Sequence, residues 1–182
     1  MKEISLNILD ISENSVKAGA TLTEIYVDEA DDVLTLTIKD DGCGMDENTV
    51  KSVIDPFYTT RTTRKVGMGI PLLKLACEQT GGTLSITSST DEKLHGTTVT
   101  AVFHKDHIDF TPLGDVISSV VTLVQGHPDR DFLFRHTSAA GGVELDTREI
   151  RAVLDDVPLD TYEVILWIRD NLGEQYEAIN LK

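Results

Sequence analysis

The sequence predicts an α+β fold, and three observations support that prediction. Apolar residues recur at helical spacing over residues 4–17, which is typical of an amphipathic helix. Residues 22–28 and 33–39 predict two strands joined by an acidic hairpin turn, and the second strand alternates between the two faces of a sheet. Residues 83–88 and 97–103 predict a further pair of strands around a polar turn.

Two helices separated by a loop are predicted between these two pairs of strands. One helix begins at Asp46, a residue type favoured at N-caps, and ends before Pro56. The other spans residues 70–80 and tolerates Pro71 in its first turn. Residues 57–66 have no hydrophobic period and are predicted to form a loop.

The last part of the chain is predicted to be a separate small unit. Residues 104–112 mark a boundary, so the sequence divides into residues 1–106 and an α+β appendage at 107–182. The appendage contains no catalytic motif, and we expect it to recognise a protein partner or to form a homodimer. Its predicted elements are a helix at 115–125, strands at 132–135 and 143–145, and helices at 147–154 and 160–172.

The charge of the chain limits its binding partners. It has 16 Lys and Arg against 31 Asp and Glu, a formal net charge of −15. Such a chain repels nucleic-acid phosphates and anionic membrane surfaces, so neither is expected as a partner. An anionic nucleotide would need a local cluster of donors and a metal ion. With no secretory signal and no long apolar stretch, we expect a cytoplasmic protein whose thiols, Cys43 and Cys77, are buried and reduced.

Three polar residues near the N-terminus share one face of the first predicted helix. Asp10, Asn14 and Lys17 follow i, i+4, i+7 spacing. A carboxylate, a carboxamide and an ammonium so arranged could orient a water molecule, ligate Mg²⁺ through oxygen and contact a phosphate. An ordinary solvated helix face has the same pattern, so this motif alone does not identify a site.

Two further motifs lie on the predicted strands. Asp40 ends a strand, and Gly42 and Gly44 after it allow a sharp turn and a close approach to a ligand. A carboxylate at a strand end can accept a hydrogen bond from an adenine amino group. Gly96 and Thr97 enter the last strand of the second pair and are uninformative alone.

A Gly-x-Gly motif precedes the helix at 70–80. Gly67, Gly69 and Ile70 lie where free backbone amides and the helix dipole can bind an anion. The motif is neither a P-loop nor a dinucleotide fingerprint, because the lysine of the first and the third glycine of the second are absent.

The order and spacing of these motifs resemble those of the GHKL ATPase superfamily of gyrase, heat-shock chaperone ATPases, histidine kinases and MutL. The matching segments are the N box at 10–21, the Asp-x-Gly-x-Gly box at 40–44, the phenylalanine box at 55–60, the Gly-x-Gly-Ile/Leu box at 67–70 and the threonine box at 96–97. The resemblance spans residues 4–103. It implies a Bergerat-type α/β sandwich, with helices over a mixed, mostly antiparallel sheet.

The resemblance also implies a site for ATP and Mg²⁺. Asp40 would accept a hydrogen bond from the adenine amino group, and Thr97 would support the base through a water molecule. Asn14 would ligate Mg²⁺, and Lys17 would contact phosphate. The loop at 57–66 would be the nucleotide lid. The remaining implied contacts are Gly42 and Gly44 at the turn, Gly67, Gly69 and Ile70 at the phosphates, and Arg61, Arg64 and Lys65 as candidate γ-phosphate contacts.

Two departures from the family pattern bear on function. Hydrolytic members have Glu at the position of Asp10, and the shorter Asp would sit about 1 Å or more from the usual base position, a misplacement able to cost roughly 10²-fold in rate. The N box also begins close to Met1, and no histidine has the context of a kinase phosphoacceptor.

We therefore expect a Mg-ATP-binding regulatory module in which Asp10 is the catalytic base of slow or partner-dependent hydrolysis. Two alternatives stay open. One is a protein kinase acting in trans, like the anti-sigma-factor serine kinases of this superfamily. The other is a nucleotide sensor without chemistry.

Overall fold

The computed structural model describes residues 3–55 and 67–179, which form helices and strands in the predicted order. Their ends agree with the sequence prediction to within three residues, except that the last helix continues to Ala178. In chain order the elements are α1 (Ile4–Lys17), β1 (Leu22–Ala30), β2 (Val33–Asp40), α2 (Glu47–Ile54), α3 (Gly69–Glu78), β3 (Thr83–Ser89), β4 (Gly96–His104), α4 (Val116–Gly126), β5 (Asp131–Ser138), β6 (Gly141–Asp146), α5 (Thr147–Leu154) and α6 (Tyr162–Ala178).

The strands form one sheet in the order β3-β4-β2-β1-β5-β6. All neighbouring strands are antiparallel except β1 and β5, which run parallel. The sheet is therefore mixed and mostly antiparallel, with helices packed against it, and the predicted fold class is confirmed.

Alternation along the strands decides which face of the sheet is buried. On β1 and β2, the apolar positions Ile25, Val27, Leu36 and Ile38 are buried, whereas the intervening residues are partly exposed. Helix α1 contributes Ile4, Ile8 and Ile11 to the same hydrophobic cluster. The apolar face of α1 packs on the apolar face of β1 and β2. This packing fixes both the register of the hairpin and the rotation of α1 about its axis.

The chain after residue 107 continues the sheet. β5 pairs with β1 from Leu22↔Asp131 to Asp28↔Thr137, and β6 extends the sheet beyond β5. Buried residues of α4 and α6 belong to the same hydrophobic cluster as those of α1. The predicted division between residues 106 and 107 thus separates two segments that share one sheet and one core, and whether they are independent domains stays a prediction.

A polar network inside the molecule joins β1, β5 and α6. His136 is 1% exposed and lies 2.9 Å from Glu29 through Nε2 and 2.9 Å from the Tyr176 hydroxyl through Nδ1. Lys105 donates to the other oxygen of Glu29 at 2.9 Å. Burial pushes the pKa of Glu29 up, but hydrogen bonds from Lys105 and His136 outweigh it, so that its pKa is lowered. The network thus adds side-chain hydrogen bonds between β1 and β5 to the backbone hydrogen bonds that pair these strands.

The two cysteines differ in their surroundings. Cys77 is fully buried in α3, and burial raises its pKa to about 11. Cys43 is exposed, and the expectation that both thiols are buried is wrong for this residue because it lies in a surface turn after β2. Among the described helices, none combines the length and the apolar character needed to cross a bilayer.

We predict that His136→Ala lowers the free energy of unfolding by about 2–3 kcal/mol, because Glu29 and Tyr176 each lose a buried partner. Tyr176→Phe, which removes one hydroxyl and keeps the ring, is the matched control and should cost about 1 kcal/mol. Urea unfolding followed by circular dichroism measures both. An alanine variant as stable as the phenylalanine variant would show that the network contributes little.

Candidate functional site

One face of α1 is buried and the other carries the predicted site residues. Asp10, Asn14 and Lys17 are exposed and share the side of the helix away from the core. Their side chains make no hydrogen bond or ion pair with another described residue. The spacing in the sequence therefore presents a carboxylate, a carboxamide and an ammonium free for contact with a ligand.

The N-terminus of α3 lies beside this face. A Cβ added to Gly69 would be 3.4 Å from the Cβ of Asp10 and 3.8 Å from Nδ2 of Asn14. No side chain caps the first turn of α3, and Pro71 in that turn has no amide proton. The amides of Gly69 and Ile70 are thus the N-terminal donors nearest to the polar face of α1, while the Ile70 side chain is buried in the core.

The carboxylate of Asp40 is fixed by donors from three parts of the chain. Oδ2 accepts from the Ser15 hydroxyl at 2.7 Å, and Oδ1 accepts from the backbone amides of Gly42 at 2.9 Å and Thr97 at 3.3 Å. A carboxylate has about four acceptor positions. Among the described residues three are used, so Oδ2 retains one position for a further donor.

A second layer of hydrogen bonds supports this arrangement. Thr97 is the β4 partner of Asp40 in the sheet register, and its hydroxyl lies 2.8 Å from the Ser88 hydroxyl on β3. Ser88 also accepts from the backbone amide of Met45 at 2.7 Å. The start of β4 is thereby tied to the turn that follows β2.

Two glycines in that turn meet different steric requirements. A Cβ on Gly42 would lie 2.9 Å from the Cβ of Ala18, so only glycine allows the turn to lie directly against the end of α1. Gly44 has φ +72, and a Cβ there would lie 1.8 Å from the carbonyl oxygen of Ser89. The Asp-x-Gly-x-Gly spacing therefore follows from close packing of the backbone.

The carboxylate of Asp41 anchors the same turn to the start of β1. It accepts from the backbone amides of Thr21 at 2.7 Å and Leu22 at 3.0 Å, and from the Thr21 hydroxyl. Partial burial pushes the pKa of Asp41 up, but the hydrogen bonds from Leu22 and Thr21 outweigh it and lower the pKa. Asp41 is thus a structural anchor, whereas Asp40 beside it keeps an unused acceptor position.

A surface groove of about 490 Å³ lies next to the turn. It is lined on one side by Gly42 and the exposed Cys43, and on the other by His95 from the β3–β4 connection. Nδ1 of His95 donates to the carbonyl oxygen of Gly42 at 2.8 Å, which holds this connection against the turn.

Comparison with known proteins identifies this arrangement. Residues 2–107 match the family of histidine kinase-, DNA gyrase B-, and HSP90-like ATPases. The chain belongs to this ATPase family. The matched segment contains α1, the turn after β2, the start of α3 and the β3–β4 pair, and so all of the site described above.

Most of the relatives that resemble the chain in sequence are bacterial sensor proteins or sensor kinases. The sensor histidine kinase YvrG of Bacillus subtilis is 32% identical over 98 residues, which are 50% of this chain and 16% of that protein. The signal transduction histidine-protein kinase AtoS of Escherichia coli is 31% identical over 72 residues, 40% of this chain and 12% of that protein. The chain thus spans about a sixth or less of the length of these relatives.

Solved structures extend the likeness in fold. The MutL ATPase domain of Aquifex aeolicus complexed with ADP superposes with a TM-score of 0.56 at 14% identity, covering 85% of this chain and 69% of that domain. The N-terminal domain of a DNA repair protein gives a TM-score of 0.54, covering 80% of this chain. Both overlaps are longer than the family match at 2–107, so the shared fold includes part of the segment after residue 107.

The structure brings most of the sequence-predicted site residues together along α1. Asp10 and Asn14 meet Gly69 on one side, while Ser15, next in the chain to Asn14, reaches Asp40 on the other. Lys17 lies on the same exposed face of α1, and Gly67 is exposed, with no atom of a described residue within 4 Å of an added Cβ. The predicted lid at 57–66, with Arg61, Arg64 and Lys65, lies outside the described residues, as does most of the phenylalanine box.

Several residues that hold the site together were not identified from the sequence. They are Ser15, Asp41, Ser88 and His95, which position Asp40 or its turn. Ser15 alone carried a usable signal, since a serine on the buried side of α1 directly after Asn14 needs a polar partner in the core. The other three depend on contacts between distant segments.

We predict that Gly44→Ala lowers the free energy of unfolding by at least about 2 kcal/mol, because the added Cβ meets the Ser89 carbonyl and the residue needs a positive φ. Gly67→Ala adds the same methyl group where no described residue lies within 4 Å and should change stability by about 0.5 kcal/mol or less. Thermal and urea unfolding of the two variants give the comparison. Equal stabilities would mean that the turn after β2 is not packed as described.

Proposed function

We propose that the chain is a Mg-ATP-binding regulatory module that hydrolyses ATP slowly or only with a partner. The observation that carries this proposal is the fixed Asp40 carboxylate, which keeps one acceptor position free and is joined through Ser15 to the helix whose Asn14 lies beside the N-terminus of α3. The membership in the ATPase family supports the nucleotide class, and the ADP bound to the MutL domain supports adenine in particular.

Asp40 would recognise the base. Its Oδ2 atom has one acceptor position left after the Ser15 hydrogen bond, and the adenine 6-amino group is a donor of matching character. Thr97, whose amide already holds Asp40, would support the base through water. Since the carboxylate cannot rotate without losing three hydrogen bonds, its orientation is set before the nucleotide arrives.

The exposed face of α1 and the start of α3 would receive the phosphates. The amides of Gly69 and Ile70 suit an anion, and Lys17 adds a positive charge on the same face of α1. Gly67 and Gly69 would let the backbone lie close to the phosphates. Gly42 and Gly44 would keep the turn after β2 close to the adenine.

Asn14 fits the role of a magnesium ligand. Its carboxamide is exposed, makes no hydrogen bond to another described residue and lies against Gly69 at the α3 N-terminus. Mg²⁺ takes oxygen ligands and is commonly held by few protein groups together with phosphates and water. When bound, the ion would supply positive charge that a chain of net charge −15 lacks.

Asp10 would act as the general base. It is exposed, one helical turn before Asn14, and its Cβ lies 3.4 Å from the position of an added Cβ on Gly69. It could therefore hold a water molecule near the phosphate end of the site and accept a proton from it. Because the side chain is one methylene shorter than the glutamate of hydrolytic members, we expect slow turnover.

A protein kinase acting in trans is the second candidate function. The exposure of Asp10 favours it, since the hydroxyl of another protein could approach this carboxylate as readily as water. The third reading, a nucleotide sensor without chemistry, uses the same binding contacts and leaves Asp10 idle.

We predict that Asp40→Asn weakens binding of Mg-ATP by about 10- to 100-fold, since the amide cannot accept all the donors that meet at this position. Asp46→Asn changes the charge by the same amount at the far end of the turn after β2, and asparagine caps α2 equally well, so this variant should bind like the wild type. Isothermal titration calorimetry measures both. Unchanged affinity in a folded Asp40→Asn protein would refute the proposed adenine contact.

We predict opposite effects of two substitutions at Asp10 on phosphate release from γ-labelled Mg-ATP. Asp10→Ala should abolish release above background, whereas Asp10→Glu should raise the rate, by up to roughly 10²-fold, because it restores the reach of the usual base. A single-turnover time course separates free phosphate from label on protein. No response to either substitution would exclude Asp10 as the base, and label on an added protein would favour the kinase.

A further inference from the structure

In the part of the chain that the structure describes, exposed apolar side chains are concentrated in one segment. Of the ten large apolar side chains that are exposed among the described residues, half fall within residues 153–167: Val153, Val157, Tyr162, Leu166 and Trp167. Val153 is 85% exposed and Trp167, the single tryptophan of the chain, is 53% exposed. Grouped exposure of this kind marks interaction surfaces, and tryptophan is the residue most enriched at their centres.

A groove of about 580 Å³ lies at this surface, between β6, α5 and α6. Its floor is formed by the buried side chains Leu145 and Val164, and Trp167 and Val153 stand at its edges. We call it the C-terminal groove. Apolar atoms form most of its lining, so it suits apolar side chains better than a polar small molecule, which needs several convergent hydrogen-bonding groups.

The rim of the C-terminal groove is acidic. Glu149 and Glu163, in the first turns of α5 and α6, are exposed and form no ion pair with another described residue. Glu144 and Asp146 also line the groove, but Arg135 and Arg148 pair with them. Around the groove, residues 131–179 contain eleven Asp and Glu against four Arg and no Lys. A complementary partner is therefore basic.

The backbone edge beside the groove is closed to strand addition at its centre. Gln175 on α6 accepts from the amide of Glu144 at 2.9 Å and donates to its carbonyl oxygen at 3.0 Å. These are the backbone groups that an added strand would use on the free edge of β6. A partner must dock through side chains instead, as an amphipathic helix does when it lays an apolar face into a groove.

We propose that the C-terminal groove binds a basic amphipathic helix of a partner protein, with apolar side chains against Trp167 and Val153 and Lys or Arg beside Glu149 and Glu163. A second copy of the chain fits less well, since a symmetric contact would bring the acidic rims of two copies together. Anionic membranes and nucleic acids are repelled by the same charges. This inference does not rest on nucleotide binding, because no residue of the groove belongs to the ATP-site boxes.

The test uses two synthetic 18-residue helical peptides with the same leucine stripe and no tryptophan. One carries lysine at the flanking positions and the other glutamate. Because Trp167 is the single tryptophan, its emission reports directly on occupation of the groove. We expect a saturable blue shift with the lysine peptide, an affinity at least about tenfold higher than for the glutamate peptide, and a smaller preference at high salt.

Charge-reversal variants provide the matched control. Glu149→Lys/Glu163→Lys should invert the preference between the two peptides. Asp106→Lys/Asp109→Lys makes the same change in net charge after β4, with three strands between β4 and β6, and should preserve the preference. Val153→Ser changes a residue that is already exposed, so the protein should stay folded. Its affinity for the lysine peptide should be several-fold lower.

Three results would overturn the proposal. They are equal affinities for the two peptides, no saturable change in Trp167 emission with either peptide, and self-association through the groove in sedimentation experiments on the chain alone. Nucleotide titrations on the Glu149→Lys/Glu163→Lys protein test the proposed ATP site separately from the peptide site. We expect its affinity for Mg-ATP to stay within about twofold of the wild type.

Discussion

The hydrogen bonds to the Asp40 carboxylate are the interaction on which the rest of the site depends. They join α1 through Ser15, the turn after β2 through Gly42, and the start of β4 through Thr97. Helix α1 and the two strands are also held by the hydrophobic core, and the carboxylate adds a connection among α1, the turn and β4. Leaving a buried donor unpaired costs about 1–3 kcal/mol, so this connection also fixes the relative positions of the elements.

Helix α1 contributes side chains both to the hydrophobic core and to the candidate site. Its isoleucines fill the core beneath the sheet, while Asp10 and Asn14 on the opposite side face the first residue of α3. Rotation of this helix by one residue would expose an isoleucine and bury a carboxylate, which is strongly unfavourable. The core thereby sets the orientation of the polar residues that we propose for magnesium binding and proton transfer.

Local patterns explain why so much of the architecture could be predicted. The helix at 4–17, the hairpin after it and the N-cap at Asp46 are encoded by periodicity and capping within a few residues, and the structure has all three. The Asp-x-Gly-x-Gly and Gly-x-Gly motifs could also be located because each lies within a few residues, although close contacts require glycine only in the first, at Gly42 and Gly44.

Features that depend on distant segments could not be predicted. The parallel pairing of β1 with β5 joins residues more than 100 positions apart, and no local pattern specifies it. The same holds for the contacts of His136 with Glu29 and of His95 with Gly42. The exposure of Cys43 also follows from the shape of the turn, whereas the sequence analysis expected a buried thiol.

The base specificity of the unmodified chain tests the central claim most directly. ADP and IDP carry the same phosphates and differ at the 6-position, where adenine has an amino donor and hypoxanthine has a carbonyl oxygen. Titration of both in the presence of Mg²⁺ should give an affinity for ADP at least about tenfold higher, because the Asp40 carboxylate can accept from the amino group and repels the oxygen. Equal affinities for the two nucleotides would contradict the account.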